Sequence, residues 1–131
     1  MKIVITGSLG NISKPLSIAL IKKGHSVTII SSNPSRQNEI EQSGGKAAIG
    51  SLSDAQFVMR AFTGADAVYC MIPFDFSVAD QDAYMKQIMA NYVQAIRNAG
   101  IRRVVFLTGW TADIEIAGPG MKEVYQQLHP K

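Results

Sequence analysis

Short runs of β-branched and aliphatic residues alternate with longer helix-like segments, and this alternation is the feature that most limits the fold of the chain. The runs that begin at Ile3, Val27, Val68 and Val104 are continuously apolar, which indicates strands buried on both faces. Strands that alternate with helices are typical of βαβ units on a parallel sheet, so the sequence predicts an α/β fold. The predicted strands span residues 2–6, 26–31, 46–49, 67–72 and 103–108.

The segments between the strands predict four helices, at residues 12–23, 35–42, 54–62 and 79–98. Glycine is the usual residue just past the end of a helix, and one stands near each predicted end. These glycines are Gly24, Gly44, Gly64 and Gly100. In the fourth helix a stripe at i, i+4 spacing is predicted to pack on the sheet. The stripe consists of Tyr84, Ile88, Tyr92 and Ile96.

Composition narrows the class of protein. A chain of 131 residues with 47% hydrophobic and 18% charged residues fits one globular domain, predicted over residues 1–131. The single cysteine, Cys70, cannot form a disulfide within the chain, and this predicts a cytoplasmic protein. No apolar stretch approaches the length of a membrane span, and the net charge of +3 is scattered, so neither a membrane nor a nucleic acid is an expected partner. No cluster with metal-ligand spacing occurs in the sequence, so no metal site is predicted.

The sequence Thr-Gly-Ser-Leu-Gly-Asn-Ile-Ser, residues 6–13, joins the first strand to the first helix. Glycine at the first position permits a sharp turn, and glycine at the second leaves room for a pyrophosphate against the helix N-terminus. Ser13 stands where a third glycine often lets helix and strand pack closely, and serine is small enough to keep that packing. The alternative is a glycine turn with no ligand. The residues predicted to bind the pyrophosphate are Gly7, Ser8, Leu9, Gly10, Asn11 and Ile12.

The loop resembles the Thr-Gly-x-x-Gly-x-x-Gly fingerprint of atypical short-chain dehydrogenase/reductases, in particular the NmrA-like family of NAD(P)-binding proteins. Further similarity lies at residues 33–36, 50–54, 66–68 and 98–105, and it extends over residues 1 to about 108. The resemblance implies a three-layer, Rossmann-type, doubly wound parallel sheet with five strands in the order 3-2-1-4-5. Family members continue into a C-terminal substrate region that has no counterpart here, so residues 109–131 are expected to form an atypical tail with a short helix at 121–128.

The end of the second strand bears on the choice of cofactor. Sites that prefer NAD place an acidic residue about 20 positions beyond the glycines, and no Asp or Glu occurs between Gly24 and Glu39. Hydroxyl and amide donors occupy this stretch instead, so the sequence predicts NADP(H) over NAD(H). The donors are Ser31, Ser32 and Asn33, followed by Arg36, for which a solvated surface cation is the alternative.

The remaining predicted cofactor contacts follow the third and fourth strands. The resemblance places Ser51, with Leu52 beside it, at the adenine, where the family often has an aspartate. It also places Ser32 where the family has an arginine. Ligands of parallel sheets bind at the carboxyl ends of the strands, which assigns Met71, Ile72 and Pro73 to the nicotinamide side; packing at the strand end is the alternative role for Met71 and Ile72.

Catalytic residues are less well defined by the sequence. The superfamily's Tyr-x-x-x-Lys pair does not occur, and Thr108 stands where its serine would be. The resemblance implies a basic proton donor after the fifth strand, for which Lys122 is the nearest candidate, although the best alignment puts Met121 there. Trp110 could cover the nicotinamide or pack against the last helix.

Three hypotheses follow. The first is an NADP(H)-dependent oxidoreductase that reduces a carbonyl, quinone or similar small acceptor. The second is a catalytically inert NAD(P) sensor that binds another protein, and the third is a truncated Rossmann domain without activity. A homodimer through the fourth helix is compatible with each of these hypotheses.

Overall fold

A computed structural model describes residues 1–72 and 79–107, which form a five-stranded parallel sheet between two layers of helices. The neighbouring strands run parallel throughout, in the order β3-β2-β1-β4-β5. The predicted fold class and strand order are therefore confirmed. The strands are β1 (Lys2–Ile5), β2 (Ser26–Ser31), β3 (Lys46–Ile49), β4 (Ala67–Cys70) and β5 (Arg103–Phe106).

Four α-helices connect the strands. They are α1 (Ser13–Lys22), α2 (Gln37–Gln42), α3 (Ala55–Phe62) and α4 (Gln81–Ala99), with a 3-10 turn (Pro34–Arg36) ahead of α2. A glycine follows each helix as predicted, and Gly100 is itself the left-handed C-cap of α4. Because each crossover returns the chain to the same end of the sheet, the carboxyl ends of all five strands meet at one edge.

The sheet buries both faces, as the continuously apolar runs predicted. On one face Val4 and Val68 pack with α3 and α4, where the rings of Phe62 and Tyr92 stack with centroids 5.9 Å apart. On the other face a second cluster, which includes Ile5, packs against α1 and α2. The stripe on α4 is confirmed as core: Ile88 and Tyr92 are fully buried, and Tyr84 and Ile96 are partly buried against the same cluster.

The prediction of burial on both faces is wrong for strand β5. Val104 is 40% and Val105 64% exposed, so the residues that the structure describes only partly cover the two faces of this strand, which lies at the edge of the sheet beside β4. The predicted end of this strand, Thr108, lies outside the described residues, as do the predicted tail at 109–131 and its helix at 121–128.

Three strands end earlier than predicted: β5 ends at Phe106, and β1 and β4 end early because side chains take over the hydrogen bonds of the ladder. The Thr6 carbonyl accepts from the Ser13 hydroxyl (2.8 Å), and the Met71 N–H donates to the Thr6 hydroxyl (2.8 Å). Main-chain pairing of β1 with β4 therefore stops at Ile5 and Tyr69, and Thr6, Met71 and Ile72 lie beyond the strands.

Caps explain the differences at helix starts. Ile12 is the N-cap of α1, and the Asp54 side chain caps α3 by accepting hydrogen bonds from the Gln56 and Phe57 N–H groups. The Asp80 carboxylate accepts from the Ala83 N–H at 3.0 Å, which delays the fourth helix from 79 to 81. The predicted helix at 35–42 is a 3-10 turn followed by α2, because Asn33 accepts the Ser35 N–H and fixes a tighter first turn.

In the part of the chain that the structure describes, no helix has the length and apolar character needed to cross a membrane. Over the same residues, no three His, Cys, Asp or Glu side chains come together in a group that could hold a metal ion.

Candidate functional site

An open cleft of about 530 Å³ lies at the edge of the sheet where the strands end. Its walls come from the loops after β1, β2, β3 and β4, and α4 contributes one side chain. The residues that line it are Gly7, Ser8, Ile30, Ser31, Ser32, Asn33, Arg36, Gly50, Ser51, Leu52, Ser53, Met71 and Tyr84. No acidic residue is among them.

The turn off β1 requires glycine at position 7. Gly7 has a φ of +89°, and a Cβ atom there would lie 2.5 Å from the Ser13 hydroxyl oxygen and 3.1 Å from the Met71 side chain. Ser13 is 3% exposed and holds α1 against β1 through its bond to the Thr6 carbonyl. The prediction that serine keeps close packing at the third glycine position is confirmed.

The N-terminus of α1 carries unpaired donors. The backbone N–H groups of Leu9, Asn11, Ile12 and Ser13 make no backbone hydrogen bond within the described residues. No side chain caps the helix, and its first turn contains the cation Lys14 and no acidic residue. Free N–H groups and the positive end of the helix dipole together favour an anion at this position.

Hydroxyl and amide groups connect the loop after β1 to the end of β2. The Ser31 hydroxyl oxygen, which is buried, accepts from the Ser8 hydroxyl (3.0 Å) and from the Asn33 N–H (3.2 Å). The Asn33 side-chain oxygen accepts from Ser35, so the amide of Asn33 keeps its NH₂ group for another partner. Ser32 and Asn33 are exposed on this wall. The wall therefore offers hydroxyl and amide hydrogen-bond donors to the cleft.

Arg36 completes the same wall from the 3-10 turn. Its Nη1 atom lies 3.5 Å from the Glu39 carboxylate on α2. The remaining guanidinium donors make no other hydrogen bond within the described residues, so the cation can take an anionic partner from the cleft.

A buried amide positions the loop after β3. Asn91 is 2% exposed, and its NH₂ group donates to the Leu52 carbonyl at 2.8 Å, while its oxygen accepts from Gln87 at 2.9 Å. This contact ties α4 to the loop that carries Ser51, whose hydroxyl lies 2.7 Å from the Ser53 hydroxyl. The sequence interpretation missed Asn91, although its place one turn after Ile88 puts a polar residue on the buried side of α4, where it needs a partner.

Beneath the cleft, burial favours the neutral forms of the Tyr92 phenol and the Cys70 thiol. The Tyr92 hydroxyl donates to the Met71 carbonyl at 2.6 Å, and burial raises the pKa of that phenol above its ordinary value. Burial also raises the pKa of the fully buried Cys70 thiol to about 12. Neither group is suited to exchange a proton with a ligand near neutral pH.

The structure brings together nine of the residues that the sequence assigned to the cofactor. Gly7, Ser8, Ser31, Ser32, Asn33, Arg36, Ser51, Leu52 and Met71 all line the cleft. Four others, Leu9, Gly10, Asn11 and Ile12, belong to the loop at the start of α1 and do not line it, and neither does Ile72. Pro73, Thr108, Trp110 and Lys122 lie outside the described residues.

Sequence reasoning missed four residues of the lining: Ile30, Gly50, Ser53 and Tyr84. Tyr84 was interpreted only as part of the core stripe, yet it also reaches the cleft because it lies in the first turn of α4. Gly50 follows β3 directly, and a Cβ atom there would lie 2.5–2.7 Å from the Phe57 ring. A glycine at the carboxyl end of a predicted strand was the available signal for it.

Comparison with known proteins places the chain among nucleotide-binding proteins. A family model described as NAD(P)H-binding matches residues 7–130. A 2-alkyl-3-oxoalkanoate reductase of Stenotrophomonas maltophilia is 31% identical over 109 residues, which cover 81% of this chain and 32% of the reductase. The chain thus spans about a third of the length of that curated relative.

Solved structures agree on the fold. A short-chain dehydrogenase/reductase superfamily protein of Agrobacterium tumefaciens with bound NAD has a TM-score of 0.72 and 26% identity, over 91% of this chain and 36% of its own. An NADPH-dependent quinone oxidoreductase of Escherichia coli, complexed with NADPH, has a TM-score of 0.77 and 18% identity, over 96% of this chain and 44% of its own. At the latter identity the likeness is one of fold alone.

Proposed function

The chain belongs to the NAD(P)H-binding family, and from this premise we propose that it binds NADP(H) and acts as an oxidoreductase on a carbonyl, quinone or similar small acceptor. The observation that carries the proposal is the cleft at the carboxyl ends of the strands. The glycine turn and the acid-free wall of the cleft, together with the uncapped start of α1 beside them, suit a dinucleotide with an extra phosphate.

The preference for NADP(H) is supported by the wall that follows β2. A carboxylate would accept the two ribose hydroxyls of NAD and repel a 2′-phosphate, whereas the donors here favour the phosphate. Ser32, Asn33 and Arg36 supply neutral and cationic donors on one rim. In this proposal the loop at residues 7–12 holds the pyrophosphate, Ser51 and Leu52 border the adenine, and Met71, Ile72 and Pro73 border the nicotinamide.

Hydride transfer is the chemistry that the cofactor would supply, and the protein would orient the nicotinamide against the acceptor. The curated relative is a 2-alkyl-3-oxoalkanoate reductase, which supports reduction of a carbonyl or similar small acceptor. We assign Thr108 to a hydrogen bond with the acceptor oxygen and Lys122 to proton supply. A cytoplasmic location and a homodimer through α4 belong to the same proposal.

The first test is a parallel titration of the 131-residue protein with NADPH and NADH, followed by thermal midpoint and by fluorescence of Trp110. A ligand that binds only the folded state adds about 2.7 kcal/mol of stability at a hundredfold excess over its Kd. We expect both nucleotides to raise the midpoint, NADPH at the lower concentration. Failure of both to raise it would contradict the proposal at its first step.

Arg36→Gln is expected to weaken NADPH binding by about tenfold or more, since hydrogen bonds to charged groups are worth about 1.5–3 kcal/mol. NADH binding should change much less, because NADH lacks the phosphate. The measurement is the ratio of the two dissociation constants. Arg60→Gln is the matched control, because Arg60 lies near the end of α3, outside the cleft, and should leave the ratio unchanged.

Turnover separates the oxidoreductase from the inert sensor. Oxidation of NADPH in the presence of a quinone or dye acceptor, measured at 340 nm and lost in Thr108→Val, would support the enzyme. Tight NADPH binding with no oxidation across a panel of acceptors would favour the sensor instead.

A further inference from the structure

Two cations share one carboxylate beside the cleft. The Lys14 Nζ atom on α1 lies 3.6 Å from one Glu39 oxygen, and the Arg36 Nη1 atom lies 3.5 Å from the other. All three side chains are about half exposed. Glu39 therefore links α1, the 3-10 turn and α2 through a single anion.

The ion triad formed by Lys14, Arg36 and Glu39 adjoins the cleft through Arg36. Arg36 lines the cleft, whereas Glu39 does not and approaches the guanidinium from α2. Lys14 lies in the first turn of α1, where the dipole disfavours a cation unless an anion is near. Glu39 supplies that anion from within the chain. A phosphate in the cleft beside Arg36 would meet a cation that is already partly engaged.

We propose that Glu39 is a specificity-determining residue, which competes with the 2′-phosphate of the nucleotide for Arg36. The inference rests on the proposed binding of NADP(H) and deepens it. A phosphate monoester carries about −1.5 to −2 charges near neutral pH, against −1 for the carboxylate, so the phosphate can displace Glu39 from the guanidinium. NADH brings no such group and leaves the triad intact. The carboxylate thus lowers the affinity for NADPH selectively, and it sets how far the chain discriminates between the two nucleotides.

The test is Glu39→Gln in the full chain, with dissociation constants for NADPH and NADH measured by titration. We expect NADPH to bind about twofold to fivefold more tightly, the range that a partly exposed ion pair permits, and NADH to change by less than about twofold. The gain should shrink as salt is raised, because screening weakens every charge at this exposed position.

Glu41→Gln is the matched control. It removes the same charge from the same helix, but the Glu41 carboxylate pairs with the Gln37 amide and contacts neither cation. A general effect of net charge on an anionic ligand would appear equally in both variants. A larger change in the NADPH to NADH ratio for Glu39→Gln than for Glu41→Gln therefore supports the competition.

The outcomes distinguish this inference from the proposed function. If the wild type prefers NADPH and the two variants change the ratio equally, Glu39 is not a competitor and the inference alone is overturned. If the wild type prefers NADH but Glu39→Gln shifts the ratio toward NADPH, the proposed preference fails and the competition stands. A wild type that binds neither nucleotide overturns both.

Discussion

Gly7→Ala is expected to weaken NADPH binding by about tenfold or more, through the loss of a hydrogen bond to the pyrophosphate, and to lower the free energy of unfolding by about 2–4 kcal/mol. Gly7 has a φ of +89°, which costs any other residue backbone strain, and the new Cβ would lie 2.5 Å from the Ser13 oxygen. The helix start must move away from β1 to accept it. Nucleotide titration and urea unfolding measure the two effects.

Gly24→Ala separates strain from crowding. Gly24 has the same φ of +89°, but nothing lies within 4 Å of the position its Cβ would take, and it precedes β2 at the opposite edge of the sheet. In this variant the free energy of unfolding should fall by about 1 kcal/mol, the strain of alanine at this φ, and the nucleotide affinity should not change. If both variants lose affinity alike, the turn at Gly7 has no special part in binding.

Thr6→Val is expected to lower the free energy of unfolding by about 1–3 kcal/mol, even though valine has nearly the same shape. The fully buried Thr6 hydroxyl donates to the Tyr69 carbonyl (3.0 Å) and accepts the Met71 N–H (2.8 Å). Valine leaves that N–H without a partner at the floor of the cleft. Urea unfolding gives the stability, and hydrogen exchange of the Met71 amide should quicken.

Thr6→Ser provides the comparison, since serine keeps the hydroxyl and loses a methyl group worth about 1 kcal/mol when buried. Protection of the Met71 amide should persist in Thr6→Ser and fall in Thr6→Val. Equal protection in the two variants would show that packing of the methyl group, rather than the hydroxyl, holds the end of β4 against β1.

The sequence predicted the sheet well because its strands are continuously apolar and its helices end at glycines. The same reasoning went wrong at β5, which was predicted to be buried on both faces, although its Val105 is mostly exposed. The apolar pattern of a strand indicates that its side chains can be buried. It does not indicate whether other elements pack on its two faces.

Strand ends and helix starts were harder to predict, because side-chain hydrogen bonds decide them. The Thr6 and Ser13 hydroxyls end the pairing of β1 with β4, and no local pattern marks a hydroxyl that will meet a strand 63 residues away. In the site, the glycine loop and the polar end of β2 were visible as motifs. The bond from Asn91 to the loop after β3 and the contact of Glu39 with Lys14 on α1 join segments that are far apart in the chain, so they required the structure.

Because of its position, the Cys70 thiol can be used to measure how often the sheet opens. It is the single cysteine in the sequence, fully buried in an interior strand, and burial raises its pKa to about 12, so the thiolate that reacts with alkylating reagents is absent from the closed molecule at neutral pH. One reagent molecule can attach only after β4 has been uncovered. The rate of that single mass increment therefore follows how often the middle of the sheet opens, and a nucleotide held by the closed form would slow it.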